Sequence, residues 1–305
     1  MSSNERDRFD VDKIYRTKED GQEWFMDHNS IEDLADDECV QNWGKKMEEG
    51  RYRGNDEGLE FLRNQTWQIT GGDNGRSRLE VWSPGRGNEE ETRRVRWLNV
   101  EITAYCRVEA KHGDPPYAWQ LYCRGGHHSS NNNRQCEGSA LKARWYNRER
   151  GNNGNNGNEN SVVKEVCHPA YSSNTAVERN RDVEDHGNGD WYGAKLIVYN
   201  IKRDNRTLTK MEVWTDAGDR TNNWKRVTEY VDDGDWYVDD ELKVDDREVT
   251  FDEWCGRCGK RRNEVLWEPG GKDNRNCIAL RTDKETVQFK FLSCREIDPN
   301  GLIRG

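Results

Sequence analysis

The sequence predicts an all-β domain, either a sandwich or a barrel, and three observations lead to that prediction. Several segments after residue 60 alternate apolar and polar side chains with a period of two, which is typical of half-buried strands. Clusters of turn-forming residues separate them, for example Gly71 to Gly75 and Gly187 to Asp190. No helical periodicity of useful length follows residue 60, so many strands and almost no helix are expected.

The alternation is cleanest between Val100 and Val108. There Val, Ile, Ala, Cys and Val alternate with Glu, Thr, Tyr and Arg, so one side of this strand is predicted to be buried. Trp119 to Arg124 alternates in the same way, while Lys195 to Ile201 is apolar on both sides. Met211 to Trp214 and Val287 to Cys294 predict further strands. The absence of a repeat of fixed period argues against a propeller or a solenoid.

These strands are predicted to form one domain over residues 51–298, a size that all-β domains reach as single units. Residues 1–50 are acidic and lack strand periodicity, so a short irregular N-terminal extension is expected. Residues 151–160, with the sequence GNNGNNGNEN, are of low complexity and predict a flexible loop. Residues 299–305 are expected to be a C-terminal tail.

The composition excludes several classes of protein. Charged residues make up 35% of the chain and hydrophobic residues 32%, which alone would permit disorder, but 13 Trp, 11 Tyr and 6 Phe can build a core. The net charge of −10 disfavours nucleic acid as a partner. No apolar run approaches the roughly 20 residues that a membrane span needs, and no apolar signal core follows Met1.

Nine cysteines are many for a cytosolic chain and predict disulfides, and hence an extracellular or surface-associated location. Cys106 and Cys123 lie within alternating patterns, where a small buried side chain is the simplest interpretation. Cys255 and Cys258, followed by Cys277 and a further cysteine downstream, leave a zinc site open as an alternative, although the later pair is widely spaced.

Polar side chains at alternate strand positions are the candidate site. If neighbouring strands bring these sides together, they line a groove that suits an extended carbohydrate, whereas each residue alone could be ordinary surface, an ion pair or a satisfied core group. The positions are Arg78 and Glu80 on one strand, Gln120, Tyr122 and Arg124 on a second, and Lys195 and Tyr199 on a third.

Three of these segments resemble the strand motifs of the alginate-lyase-like polysaccharide lyases: Arg78-Leu79-Glu80, Gln120-Leu121-Tyr122 and Lys195 to Asn200. Those lyases are concanavalin-like jelly rolls, so the resemblance implies a β-jelly-roll sandwich of two antiparallel sheets. Further motifs, from Trp97-Leu98-Asn99-Val100 to Cys294-Arg295-Glu296-Ile297, resemble uncharacterised archaeal and bacterial jelly-roll proteins.

The lyase resemblance implies β-elimination beside a uronate carboxylate. Arg78 and Gln120 would neutralise that carboxylate, and Tyr199 would serve as base and acid. The sequence departs from the family at Tyr122, where a histidine is usual, and His127, His128 or His168 could supply the imidazole from a loop. The residues predicted to bind substrate are Glu80, Tyr122, Arg124, His128 and Lys195.

No cofactor is required by this chemistry. Calcium is possible at the acidic turns Asp216 to Asp219 and Asp232 to Asp235, although such turns are usually only solvated. The expected partner is a polysaccharide or other glycan, bound with or without cleavage. The alternative is a structural jelly-roll protein of a virion, appendage or cell surface that self-assembles, because fold alone does not decide function.

Overall fold

The computed structural model describes residues 5–26, 59–71, 76–82, 97–112, 117–125, 138–147, 159–174, 189–244, 247–267 and 276–303. Within these ranges the chain is almost entirely strand. The strands are β1 (Tyr15–Thr17), β2 (Glu23–Phe25), β3 (Leu59–Arg63), β4 (Thr66–Thr70), β5 (Arg76–Trp82), β6 (Val100–Lys111), β7 (Tyr117–Gly125), β8 (Ala140–Asn147), β9 (Glu159–Cys167), β10 (Ala170–Asn174), β11 (Tyr192–Arg203), β12 (Arg206–Ala217), β13 (Lys225–Asp232), β14 (Glu241–Val244), β15 (Arg247–Thr250), β16 (Cys277–Asp283) and β17 (Glu285–Leu302). One short helix, α1 (Phe251–Trp254), and a 3-10 turn (Gly256–Cys258) lie between β15 and β16.

Two antiparallel sheets confirm the predicted jelly-roll sandwich. The nine-stranded sheet has the order β13-β12-β11-β6-β17-β4-β3, and β1 and β2 also pair with β17. The six-stranded sheet has the order β10-β9-β8-β7-β16-β5. The chain crosses between the sheets from β4 to β5, β5 to β6, β6 to β7, β10 to β11 and β16 to β17, as in a jelly roll. Among the described residues, no helix has the length and apolar character that a bilayer crossing requires.

The main core lies between the two sheets and follows the predicted alternation. Ile102 and Ala104 of β6 are fully buried in one cluster with Leu121 of β7 and Leu196 of β11. Burying a side chain of leucine size contributes about 1.5–3 kcal/mol, so this cluster is the principal source of stability. The polar positions between these residues therefore face outward from the sandwich.

The N-terminal segment, defined here as residues 5–26, covers the outer side of the nine-stranded sheet. Val11 and Ile14 of this segment are fully buried in a second cluster with Ile197 of β11, which explains why that strand is apolar on both sides. Tyr15 pairs with Leu302, so β17 extends into the predicted C-terminal tail. The irregular extension expected here instead contains two strands, which are too short to show a period in the sequence.

A small unit formed by β14, β15 and α1 packs beside the end of β9. A capping box starts its helix, because the Thr250 hydroxyl accepts a bond from the Glu253 backbone and the Glu253 carboxylate accepts one from the Thr250 backbone. A disulfide between Cys167 and Cys255 joins the unit to β9, and Cys258 is also disulfide-bonded. The prediction of disulfides is confirmed, and the zinc alternative at Cys255 and Cys258 is wrong.

Candidate functional site

The predicted catalytic residues lie in two different sheets. Arg78 and Gln120 lie on β5 and β7 of the six-stranded sheet, whereas Tyr199 lies on β11 of the nine-stranded sheet. The residues next to them in sequence, Leu79, Leu121 and Val198, belong to the core between the sheets. Because side chains alternate along a strand, Gln120 and Tyr199 face opposite outer sides of the sandwich. The expectation that all three converge on one groove is therefore wrong.

Tyr199 and Lys195 make their polar contacts beneath the N-terminal segment. The Tyr199 hydroxyl donates to the Glu212 carboxylate at 2.9 Å and lies 3.0 Å from the Tyr15 hydroxyl. Lys195 Nζ donates to Glu101 Oε1 at 2.7 Å, and only 1% of Lys195 is exposed. Burial raises the pKa of Tyr199 above its ordinary value, so the hydroxyl stays protonated. Both side chains thus hold the N-terminal segment in place.

Glu101 is the centre of that buried network. It accepts hydrogen bonds from the backbone N–H groups of Ile14 at 3.2 Å and Tyr15 at 3.3 Å, and it pairs with Arg295 as well as Lys195. Burial alone would raise the pKa of Glu101, but the charges of Arg295 and Lys195 lower it to about 2. The carboxylate is therefore ionised at every ordinary pH and anchors the segment electrostatically.

Arg124 lies inside the sandwich and not on a groove. Its guanidinium donates to the carbonyl oxygens of Leu98 at 2.8 Å and Leu266 at 2.5 Å, and to the Thr209 hydroxyl at 3.0 Å. Its φ is +49°, and the pairing of β7 with β16 shifts register beside it, so a bulge turns the side chain inward. The prediction that Arg124 shares a side with Gln120 is wrong for this reason. His128 lies outside the described residues.

The outer side of the six-stranded sheet carries ten polar residues, here called the polar face. They alternate with core residues along each strand, and the strand register places them in neighbouring rows. The polar face comprises Arg78 and Glu80 of β5, Arg281 and Asp283 of β16, Gln120 and Tyr122 of β7, Lys142 and Arg144 of β8, and Ser161 and Glu165 of β9.

Ion pairs fix one part of the polar face. Arg78 contacts the Glu80 carboxylate at 3.3 Å. Arg281 Nε contacts Asp283 Oδ1 at 2.8 Å, and the amide nitrogen of Gln120 donates to Asp283 Oδ2 at 2.9 Å. That bond sets the orientation of the Gln120 amide. The amide oxygen of Gln120 therefore does not contact Asp283 and can accept a hydrogen bond from another group. Arg78 and Gln120, both predicted as site residues, thus lie in the same sheet on either side of Arg281 of β16.

A second group of contacts lies on β8 and β9. Lys142 is paired with the Glu165 carboxylate, and the other Glu165 oxygen lies 2.7 Å from Nδ1 of His168. Glu165 is 1% exposed and Lys142 is 4% exposed, so both charges are removed from water. Burial lowers the pKa of Lys142 to about 8, although the Glu165 carboxylate opposes that change. A buried ion pair of this kind needs close partners to offset its desolvation.

The Tyr122 hydroxyl is buried on the polar face and has no hydrogen-bond partner among the described residues. Lys142 Nζ lies 5.6 Å from the centroid of the Tyr122 ring. Burial raises the pKa of Tyr122 well above its ordinary value, although the charge of Arg78 opposes this, so the hydroxyl is protonated. The amide oxygen of Gln120 also lacks a partner in the described part of the chain. An unsatisfied buried polar group costs about 1–3 kcal/mol and calls for a functional explanation.

Sequence reasoning did not place Lys142, Arg144, Glu165 or Arg281 at the site. One signal was available, because Lys142 to Asn147 repeats the spacing of Lys, Tyr and Asn found in Lys195 to Asn200. The first of these segments forms β8, directly beside β7, and the second forms β11 in the other sheet. Motif spacing identifies both segments equally well, so only the strand order decides between them.

The acidic turns considered for calcium have their carboxylates engaged by the protein. Asp216 accepts bonds from the Tyr105 hydroxyl at 2.6 Å and from the backbone N–H of Asn222 at 2.9 Å. Asp232 pairs with Lys164 at 2.9 Å. Within the described ranges, no group of three or more His, Cys, Asp or Glu side chains is arranged to hold a metal ion. Calcium binding stays a prediction.

Comparison with known proteins gives only distant likenesses. One solved structure is described as a candidate glycosyl hydrolase from Parabacteroides distasonis ATCC 8503, with 12% identity and a TM-score of 0.35 over 81% of this chain and 87% of that chain. Another is lectin I-B4 from Griffonia simplicifolia in a metal-free form, with 8% identity and a TM-score of 0.29 over 80% and 95% of the two chains. No protein-family profile matches, and no curated protein matches. Likenesses this distant carry no argument about function.

Proposed function

We propose that the polar face binds an acidic polysaccharide. The observation that carries this proposal is a pair of buried polar atoms, the Tyr122 hydroxyl and the Gln120 amide oxygen, which find no hydrogen-bond partner in the part of the chain that the structure describes. A sugar hydroxyl can donate to the Gln120 oxygen and accept from the Tyr122 hydroxyl, which would remove the cost of leaving both unsatisfied. Arg78 and Arg281 supply guanidinium groups that suit a uronate carboxylate.

The local charge of the polar face favours an acidic ligand more than the whole chain does. The chain has a net charge of −10, whereas the polar face has four cationic and three anionic side chains. The Arg78 side chain is 23% exposed beside Glu80, so its guanidinium can contact a ligand while the strand pairing stays unchanged. A neutral polysaccharide would need no such cations, and a purely structural protein would need no unsatisfied hydroxyl at this place.

Replacing Arg78 by Gln should weaken the binding of a polyuronate by roughly 10- to 100-fold, because a charge-assisted hydrogen bond contributes about 1.5–3 kcal/mol. Titration calorimetry at low ionic strength measures the affinity, with a neutral glucan as the comparison ligand. Arg226→Gln is the matched control, since it makes the same change on β13 of the other sheet, where 47% of the side chain is exposed. This control should bind as the unmodified protein does.

Two results would contradict the proposal. If the unmodified protein binds no acidic polysaccharide from a panel of polyuronates, the structural role is the better explanation. If Arg78→Gln and Arg226→Gln weaken binding equally, the ligand responds to overall charge and not to the polar face.

Cleavage of the bound chain by β-elimination is a second candidate function, which the environment of Tyr122 favours. In this reaction the neutral amine of Lys142, whose pKa burial lowers to about 8, would take the C5 proton of a uronate, a C4–C5 double bond would form, and the C4–O4 bond would break as O4 takes the proton of the Tyr122 hydroxyl. The raised pKa of Tyr122 keeps its hydroxyl protonated, so it can donate the proton to the leaving oxygen. Arg78, which acts electrostatically on Tyr122, would stabilise the carboxylate beside the carbon that loses its proton.

If the face is catalytic, Tyr122→Phe should reduce the rate of elimination by at least about 100-fold, the usual contribution of a general acid. Its stability should not fall, because the lost hydroxyl has no partner among the described residues. Ultraviolet absorbance of the unsaturated uronate product measures the rate. Tyr199→Phe is the matched control: it removes a hydroxyl that is bonded to Glu212, so it should lower stability and leave the rate unchanged. A Tyr122→Phe variant of full activity would exclude Tyr122 as the proton donor.

A further inference from the structure

We infer that Asn64 and Asn205 are attachment sites for covalently linked oligosaccharides. Both asparagines belong to hairpins of the nine-stranded sheet, so this inference goes beyond the ligand proposed for the polar face and does not depend on it. The donor is an oligosaccharide carried on a lipid diphosphate, and the acceptor is the side-chain amide nitrogen of each asparagine.

The acceptor sequence for this modification occurs twice in the chain. N-glycosylation requires an asparagine that is followed two positions later by serine or threonine, with any residue except proline between them. In the whole sequence only Asn64-Gln65-Thr66 and Asn205-Arg206-Thr207 meet this rule. A motif this short also arises by chance, and the structural context that supports it is an exposed loop at the surface.

Both asparagines lie in two-residue turns at the tips of hairpins. Asn64 and Gln65 connect β3 to β4 with φ values of 52° and 61°. Asp204 and Asn205 connect β11 to β12 with φ values of 50° and 61°. A type I′ turn requires a positive φ at both central residues, and asparagine tolerates this conformation better than most residues. The turns thus place each acceptor asparagine at the outermost point of its hairpin.

The two asparagine side chains are available for modification. Both residues are exposed, and neither side-chain amide has a hydrogen-bond partner among the residues that the structure describes. Thr66 and Thr207, which supply the required hydroxyl groups, are partly exposed at the beginning of β4 and β12. An oligosaccharide at these tips extends into water, whereas one attached to a buried asparagine would displace closely packed side chains. The structure therefore provides the context that the motif needs.

Both tips face the same end of the nine-stranded sheet. β4 runs in the same direction as β6, because both strands are antiparallel to β17, so the turn before β4 faces the end where β6 begins. β11 is antiparallel to β6, so the turn after β11 faces that end as well. The polar face lies on the other sheet. Attached oligosaccharides therefore extend from one end of the sandwich and leave the polar face uncovered.

The disulfides favour the compartment in which this modification takes place. Cys167 is bonded to Cys255, and Cys258 is also disulfide-bonded. Disulfides form and persist in the oxidising environment that exported proteins meet, and N-glycosylated surface loops are likewise a feature of secreted proteins. The disulfides and the two acceptor sites thus agree on an exported chain.

The transfer itself is a substitution at the first sugar of the oligosaccharide. The asparagine nitrogen attacks C1 of that sugar, the N–C1 bond forms, and the bond from C1 to the diphosphate oxygen breaks. The lipid diphosphate leaves with the bonding electron pair, and one amide proton passes to a base of the transferase. Nothing is oxidised or reduced, so no further reactant is needed.

Mass spectrometry of the protein purified from its own cells tests the inference. Peptides that contain Asn64 or Asn205 should carry the additional mass of an oligosaccharide. The peptide that contains Asn300 should carry none, because this asparagine is exposed but is followed by Gly301 and Leu302. Enzymatic removal of the oligosaccharide in water labelled with heavy oxygen should convert the two acceptor asparagines to labelled aspartate. Protein in which both acceptor peptides lack an oligosaccharide would overturn the inference.

Variants produced in the same cells assign the modification to individual sites. Asn64→Asp and Asn205→Asp should each lower the mass of the intact protein by one oligosaccharide, and aspartate also tolerates the positive φ of these turns. Thr66→Ser and Thr207→Ser are the matched controls, since serine keeps the required hydroxyl and should leave the modification in place. If both aspartate variants keep every oligosaccharide of the parent protein, the attachment sites are elsewhere and the inference is wrong. Neither result depends on the binding of a polysaccharide to the polar face.

Discussion

Replacing Glu285 by Gln should have an effect on the free energy of unfolding that depends on pH. Relative to the unmodified protein, the variant should gain about 4 to 5 kcal/mol of stability as the pH rises from below 4.5 to above 8. Glu285 opens β17 and is 1% exposed, and neither of its carboxylate oxygens has a hydrogen-bond partner among the described residues. Burial raises the pKa of Glu285 to about 8, although the charge of Lys111 opposes the change. The side chain is therefore uncharged at neutral pH.

The direction of this pH dependence follows from the number of protons that the folded and the unfolded protein bind. Between pH 4.5 and pH 8 the folded protein holds a proton on Glu285 that the unfolded chain has lost, so the free energy of unfolding falls as the pH rises. At pH values above the pKa of Glu285 in the folded protein, the carboxylate is ionised in both states. The full free-energy cost of burying its charge then lowers the stability of the folded state. A difference of about 3.5 pKa units at 1.36 kcal/mol each gives the expected size. Glutamine carries no charge at any of these pH values.

Urea unfolding of both proteins across this pH range measures the difference directly, because the titration of all other groups cancels when one curve is subtracted from the other. Glu241→Gln is the matched control, since it removes an exposed carboxylate on β14. It should change the stability little at either end of the range. Parallel curves for Glu285→Gln and the unmodified protein would show that the buried carboxyl makes no contribution to the pH dependence.

The predictable part of this fold is the part that follows from local alternation. The pattern from Val100 to Val108 shows which side of β6 faces the core between the sheets, because a strand with one apolar side can pack in only one register. It did not show that the other side, with Glu101 and Tyr105, is buried as well. The pattern in Lys195 to Ile201 did not show what covers its second side. That cover comes from Val11 and Ile14, more than 180 positions away from Ile197 in the chain, which lie just before the three-residue strand β1.

The candidate site was half predictable for a related reason. Arg78 and Gln120 belong to strands with clear alternation, and the structure places both in the six-stranded sheet. Tyr199 has an equally suitable motif but lies in the other sheet, since a sequence does not state where the chain crosses between sheets. The prediction placed Arg124 on the same side as Gln120, but a bulge turns the Arg124 side chain inward. The residue types around the bulge do not reveal it. Glu165 comes to the site because β9 pairs with β8, and the sequence does not state that pairing.

The double variant Cys167→Ala, Cys255→Ala should lose about 4 to 5 kcal/mol of stability, because the disulfide it removes joins residues 88 positions apart. A cross-link over so long a loop restricts the unfolded chain strongly, and the chain-entropy relation gives this magnitude. Cys258 keeps its own disulfide in this variant. Urea unfolding under non-reducing conditions measures the loss. The matched control is Cys106→Ala, Cys294→Ala, which removes two buried free thiols and should cost less.

The same variant should damage the polar face at a specific point. The disulfide binds the unit of β14, β15 and α1 to the end of β9, one residue from His168. Without it, amide hydrogen exchange should increase in that unit and in the hairpin that follows Glu165, while the core strand β6 stays protected, because local opening follows the lost tether. A loss of stability no larger than that of the control, with uniform exchange over the sandwich, would show that packing by Trp254 and Phe251 holds the unit unaided.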